Sequence, residues 1–260
     1  MKAFFFWCLM AVAVSPVWAA DCESIVVSGN PDYPPLTWRE GEEIVGAGVE
    51  LFKLAAKSAG AQVKSEFVGP WARVQHQARR GRVDVIVGLY KTEERKEYLN
   101  FIEPAYLQDP VVLFVRKGKA FPFAGLADLA KLWGATPEGN SQGAEFDAFA
   151  RNSALMKYPK TVDEGFQLVL YDRVDYLAHG LYPGLAVAES LGAREHVEAL
   201  PRYLGAEGMY VAFSKASACL KYFDAIRDAY ARLCAEGAAD RSMEESLKTW
   251  GATHRKPLTE

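Results

Sequence analysis

Histidine and cysteine are scarce in this chain of 260 residues, with four of each. His76, His179, His196 and His254 are scattered, and neither a His-x-x-x-His nor a Cys-x-x-Cys spacing occurs. A metal centre needs such ligands at short spacing, so none is expected. A Gly-x-Ser-x-Gly nucleophile turn and a phosphate-cradling glycine loop are also missing. No cofactor is expected. Positive charge is not in excess: 30 Lys and Arg against 33 Asp and Glu give a formal net charge of −3. That balance argues against nucleic acid as a partner. There is no tandem repeat or low-complexity tract, and past residue 19 no apolar run is long enough to span a bilayer.

What is present at the start is an export signal. Lys2 makes a basic opening, Ala3 to Val14 is apolar but too short to cross a membrane, and Val17-Trp18-Ala19 suits signal peptidase. A cleaved signal over 1–19 is expected, with Ala20 as the other possible cleavage point, and so a periplasmic location. Losing Lys2 would take the charge from −3 to −4. Cys8 would leave too, and Cys22, Cys219 and Cys234 would meet an oxidising compartment. Cys219 and Cys234 fall on one expected helix, Ala218 to Gly237, 15 residues apart. That is roughly 22 Å at the helical rise, beyond disulfide reach. A bridge therefore includes Cys22. Cys22–Cys219 is expected over Cys22–Cys234, because Cys219 lies at the exposed start of that helix. Three free thiols is the alternative.

From residue 24 to 90 the pattern is β-α-β-α-β, the signature of a parallel sheet. The strands are expected at Ser24–Gly29, Val63–Val68 and around Val83–Val87. The helices between them are Gly48 to Ala59 and Trp71 to Arg80, closed by Gly60 and Gly81. Thr37 to Val45 reads as a hairpin. A second α/β unit occupies the centre. Extended segments near 111–117 and 198–205 separate it from the two ends, a hinge arrangement. The expected fold is α/β and two-lobed, with 20–112 and 203–260 in lobe 1, 113–202 in lobe 2, and two crossing strands between.

The stretch Gly81–Tyr106 carries the sharpest signal. An apolar strand ends at Gly88, a polar turn follows, and Arg95 stands just beyond. In α/β sheets ligands bind beyond the carboxyl ends of the strands. A guanidinium there offers a fork of donors that matches a carboxylate; the alternative is a solvated arginine paired with Glu93 or Glu94. The pieces Gly81 to Asp84, Thr92 to Arg95, and Phe101, Pro104 and Tyr106 resemble the periplasmic solute-binding proteins of the amino-acid type, extracellular solute-binding family 3. The resemblance spans almost the whole exported chain and implies the type II periplasmic binding-protein fold.

It also implies a ligand site. Arg95 would hold the ligand's α-carboxylate. Gly88, Tyr90 and Thr92 would shape the turn, although Tyr90 and Lys91 depart from the family pattern. Tyr33 and Trp71, each beside proline, would sandwich the ligand; core packing is the alternative for both. Ser141, in the loop Gly139-Asn140-Ser141-Gln142-Gly143, would bind from the second lobe, where exposed N–H groups before a helix favour an anion. The alternative for Ser141 is an ordinary helix cap. Asn30 stands where many members carry Asp, which weakens the case for a basic amino acid. His179 and Gly180 stand where an acidic residue usually takes the ligand's α-ammonium. Either His179 or Tyr182 would contact the ligand instead, or the ligand is not a standard amino acid.

The expected function is a monomeric receptor that closes on a small polar, carboxylate-bearing or amino-acid-like solute. Its partner would be the permease of an inner-membrane ABC importer or, alternatively, a membrane sensor. An enzyme is not expected: dehydratases on this fold need a carboxylic acid in the cleft, and Gly180 occupies that place.

Overall fold

The computed structural model describes residues 22–153 and 155–254, so the expected signal segment lies outside the described residues. The chain begins with strands β1 (Ile25–Gly29), β2 (Asp32–Tyr33), β3 (Thr37–Glu40) and β4 (Glu43–Val45), then helix α1 (Ala47–Ser58). Next come β5 (Val63–Ser65), α2 (Trp71–Arg79), β6 (Val85–Tyr90), the one-turn α3 (Glu93–Lys96) and β7 (Leu99–Arg116). The central part holds β8 (Gly134–Ala135), α4 (Ala144–Asn152), β9 (Met156–Lys157), α5 (Val162–Leu170), β10 (Tyr176–Gly180), α6 (Leu181–Ser190) and β11 (Val197–Ala199). The chain then returns through β12 (Gly205–Ser214), α7 (Phe223–Ala235) and α8 (Ala238–His254). Among the described residues no helix is long and apolar enough to cross a membrane.

The main sheet runs β5-β1-β6-β12-β7-β10-β8-β9, with β11 also on β7. β1 is parallel to β5 and β6, whereas β12 is antiparallel to both β6 and β7. This is the mixed α/β, two-lobed architecture expected, with a discontinuous first part and two strands crossing to the other. β7 and β12 are those strands. At one end β7 pairs through Leu99–Ile102 with β12; at the other, Val111–Phe114 pairs with β10.

The alternation of side chains along β7 places it in two cores. Val112 and Phe114 pack with Phe166, Leu177 and Val187, while Leu113 and Val115 pack with Phe146, Tyr176 and Leu200. On the other side of the molecule Val85, Val87, Val211 and Phe213 meet α1 and α7, and Trp71, Val74 and Ile86 form the opposite layer. Tyr33, Leu36, Tyr90, Val111 and Met209 form a separate cluster at the junction.

Three sequence expectations change. The strand expected from Val111 begins at Leu99. The register shifts between Met209 and Val211, opposite Leu107 and Ile102, so Pro104 sits in a bulge, where its missing N–H breaks no ladder bond. The extended segment expected from Glu198 to Leu204 is a strand only through Ala199, and the second crossing is made by β12. Cys219 bridges to Cys22 with Cα atoms 5.1 Å apart, as expected, but it is buried and precedes the helix, which starts at Phe223. Ser217 explains the delay: its hydroxyl accepts from Cys219 N–H at 2.9 Å and donates to Asp84 Oδ1 at 2.6 Å, competing with helical bonding. Asp84 also accepts from Val26 N–H at 2.8 Å, tying β1 to the start of β6.

Candidate functional site

Gly88 takes φ +72 near the end of β6, and a Cβ there would lie 3.0 Å from Thr37 Cγ2. The chain then turns outward, and Thr92 caps α3 by accepting from Arg95 N–H at 3.2 Å. This cap aims Arg95 back beneath β6. Arg95 is buried, not a surface arginine; the pairs form instead between Arg79 and Glu94 and between Lys96 and Glu93. Its Nη1 donates to Tyr90 O at 2.8 Å, its Nε to Gln75 Oε1 at 3.3 Å and its Nη2 to Gly139 O at 3.2 Å. Burial pulls its pKa down, but a guanidinium stays charged.

Gly139 belongs to the loop before α4, on the far side of the cleft. Its carbonyl also accepts from Trp71 Nε1 at 2.9 Å and Gln75 Nε2 at 3.1 Å. Three donors from α2 and α3 thus converge on one carbonyl oxygen, more than its two lone pairs satisfy. A carboxylate, with about four lone-pair sites, matches such a donor set better. Trp71 therefore contributes its N–H as well as its ring, which lies 5.4 Å from Arg95 Cζ. Gln75, one helical turn beyond Trp71, escaped the sequence analysis; the i, i+4 spacing from Trp71 is the signal that points to it.

The loop 139–143 behaves differently from expectation. It presents a carbonyl, not N–H groups, to the other side. Gly143 is the residue capping α4, and the Ser141 hydroxyl bonds the Asp147 carboxylate, which also accepts from Gln142 N–H at 2.8 Å. That carboxylate at the helix start disfavours an anion there. Across the cleft, Asn30 Nδ2 donates to Asn140 Oδ1 at 3.3 Å, while Asn30 Oδ1 accepts from Asp32 N–H at 3.0 Å.

Asn30, Tyr33, Trp71, Gly88, Tyr90, Arg95, Asn140 and Ser141 come together around a cavity of about 20 Å³. Outward of Arg95 and Thr92 the cleft widens into an opening of about 570 Å³. His179 and Tyr182 do not line the cavity. His179 is opposite Val112 in the sheet, fully buried, with both ring nitrogens unpartnered; burial lowers its pKa to about 3 and keeps it neutral. Tyr182 is half-exposed on the first turn of α6.

A carboxylate does lie beside Gly180, from another strand. Asp109, on β7, accepts hydrogen bonds at Oδ2 from the hydroxyls of Tyr33 at 2.7 Å and Tyr90 at 2.8 Å. A Cβ on Gly180 would stand 2.2 Å from that same oxygen. Burial pushes the Asp109 carboxyl up to about 6, against the two hydroxyls and the Tyr182 backbone N–H on the first turn of α6, which pull it down. Sequence spacing could not find Asp109, since it joins Gly180 only through the β7–β10 register. Among the described residues no group of three or more His, Cys, Asp or Glu is placed to hold a metal ion.

The model of the bacterial extracellular solute-binding proteins, family 3, matches residues 25–253. The chain belongs to this family. Family 3 members are binding proteins, not enzymes. An arginine-binding extracellular protein, ArtP of Bacillus subtilis, is 27% identical over 92 residues, 35% of this chain and 36% of that protein. The match thus spans about a third of that relative's length. A histidine kinase sensor domain similar to periplasmic binding proteins superposes with a TM-score of 0.73 at 23% identity, covering 87% of this chain and 95% of the domain. The amino acid ABC transporter substrate-binding protein AbpA of Streptococcus pneumoniae, solved with L-arginine, gives 0.71 at 20% identity, covering 88% and 96%. These two likenesses concern the fold.

Proposed function

We propose that this family 3 protein is a periplasmic receptor that closes on a small carboxylate-bearing, amino-acid-like solute and delivers it to the permease of an inner-membrane ABC importer. The observation that carries this reading is the convergence of Trp71, Gln75 and Arg95 on a single acceptor position across the cleft. When the parts separate about β7 and β12, these donors face the cleft and a ligand carboxylate takes the place of the Gly139 carbonyl. Lobe 1 would comprise 20–112 and 203–260, and lobe 2 113–202. Closure returns the loop 139–143, with Asn140 and Ser141, onto the ligand. The closed form is favoured because contacts to both lobes exist only there. Tyr33 and Trp71 flank the ligand, while Gly88, Tyr90 and Thr92 hold the turn that aims Arg95.

Neutral Asn30 in the cavity wall speaks against a basic ligand, although a relative is named for arginine. The likeness to a kinase sensor domain favours a second reading, in which the closed form engages a membrane signalling protein. Solute uptake measured against signalling output in a deletion strain separates the two. The receptor reading itself is tested by a thermal-shift screen of amino acids, carboxylates, polyamines and short peptides. A ligand at about 100 times its Kd adds about 2.7 kcal/mol. The stabilising compounds are expected to carry a carboxylate; stabilisation only by polyamines would contradict the reading.

A further inference from the structure

Asp109 is fully buried yet belongs to no ion pair among the described residues. Its Oδ1 has no hydrogen-bond partner, and the residue opposite it on β12 is Glu207, a second acid. An ionised carboxylate taken out of water without a cation is strongly unfavourable unless its surroundings compensate. The Tyr33 and Tyr90 hydroxyls, 2.8 Å from each other, both reach its Oδ2. The chain also keeps other side chains away. Gly180 has φ −58 and ψ 139, a conformation open to any residue, so space and not backbone requires glycine. A Cβ there would lie 2.2 Å from Asp109 Oδ2 and 2.4 Å from Tyr33 Oη. Gly180 is opposite Val111, two residues from Asp109, so these side-chain positions share one face of the sheet.

That face borders the cavity. Tyr33 and Tyr90 line it, and so does Arg95. A hydroxyl that gives its proton to Asp109 keeps acceptor lone pairs for a donor in the cavity. One wall therefore carries a fixed cation, and the other a pair of acceptors backed by a fixed anion.

We propose that the Tyr33 and Tyr90 hydroxyls, with Asp109 behind them, form the subsite for a ligand ammonium, so that the receptor selects a zwitterionic α-amino acid over a plain carboxylate. The proposal rests on the carboxylate reading of Arg95, Trp71 and Gln75, since it deepens the same site. Tyr33 and Tyr90 touch the ligand; Asp109 is a positioning residue acting through them.

Calorimetric titration tests it with two matched pairs: L-alanine against propionate, and L-glutamine against 4-carbamoylbutanoate. The wild-type protein is expected to bind at least one amino acid about 100-fold more tightly than its deaminated partner, the scale of two charge-assisted hydrogen bonds. Asp109→Asn, nearly isosteric, is expected to shrink that ratio to within about threefold by weakening the amino acid alone, and Tyr90→Phe to shrink it about tenfold. A merely structural role would weaken both members of a pair alike. An unchanged ratio in folded Asp109→Asn, equal wild-type affinity for both members, or no amino acid bound below millimolar overturns the proposal. If propionate fails to bind but ethylamine and L-alanine bind equally, the ammonium subsite stands and the carboxylate reading falls.

Discussion

The two ends of the small cavity are built in opposite ways. At the Arg95 end the donors come from one short piece of chain, Trp71 to Arg95, and are held by a helix and a capped turn. They reach a backbone carbonyl rather than a side chain. At the Asp109 end, Tyr33, Tyr90, Asp109 and Gly180 come from β2, β6, β7 and β10, strands of two different sheets, and meet only through tertiary packing. The first end tolerates change one donor at a time; the second depends on four residues at once, one of them defined by the absence of a side chain.

The largest test of this contrast is electrostatic. Burial raises the Asp109 carboxyl from 3.8 to about 6, so the folded state holds its proton more tightly than the unfolded one. The associated stability is full below about pH 4 and is lost as pH rises through about 6. The loss is about 3 kcal/mol, at about 1.4 kcal/mol per pKa unit. Urea unfolding from about pH 3 to 8 should show the wild type losing that much relative to Asp109→Asn. Asp32, also raised to about 6, contributes the same slope to both proteins and cancels. Parallel profiles would mean that the carboxylate is not held as described.

Glycine substitution sharpens the comparison next. Gly180→Ala forces a methyl group against Asp109 and Tyr33 and is expected to cost about 2–3 kcal/mol, as overpacked cores do. Gly139→Ala, at φ +76 with its nearest contact the Gln75 side-chain amide at 3.0 Å, is expected to cost about 1 kcal/mol. Denaturant midpoints order the two; the reverse order would make the Arg95 end the rigid one.

The same contrast explains what the sequence could disclose. Arg95 was legible because strand, glycine, turn and arginine follow one another within a few residues, and local chemistry has local spacing. Helix length excluded a Cys219–Cys234 bridge; Cys22–Cys219 formed as expected, but not for the reason of exposure, since Cys219 is buried and the helix starts later, at Phe223. Only the end of β7 near 111–117 was legible, because Pro104 sits in a bulge against β12 that no local pattern encodes. Asp109 was hidden for the same reason. Its partner at 180 is 71 positions away in the chain, and only strand register joins them. In place of the usual acid near 180 the sequence offered His179 or Tyr182, and neither lines the cavity.

In the proposed receptor a ligand carboxylate occupies the position where Trp71, Gln75 and Arg95 converge. Titrating the wild-type protein with L-alanine and L-glutamine, each against its primary carboxamide, tests this most directly because only that group changes. Each amide is expected to bind about 100-fold more weakly than its amino acid, the scale of two charge-assisted hydrogen bonds. Equal affinity for acid and amide would contradict it.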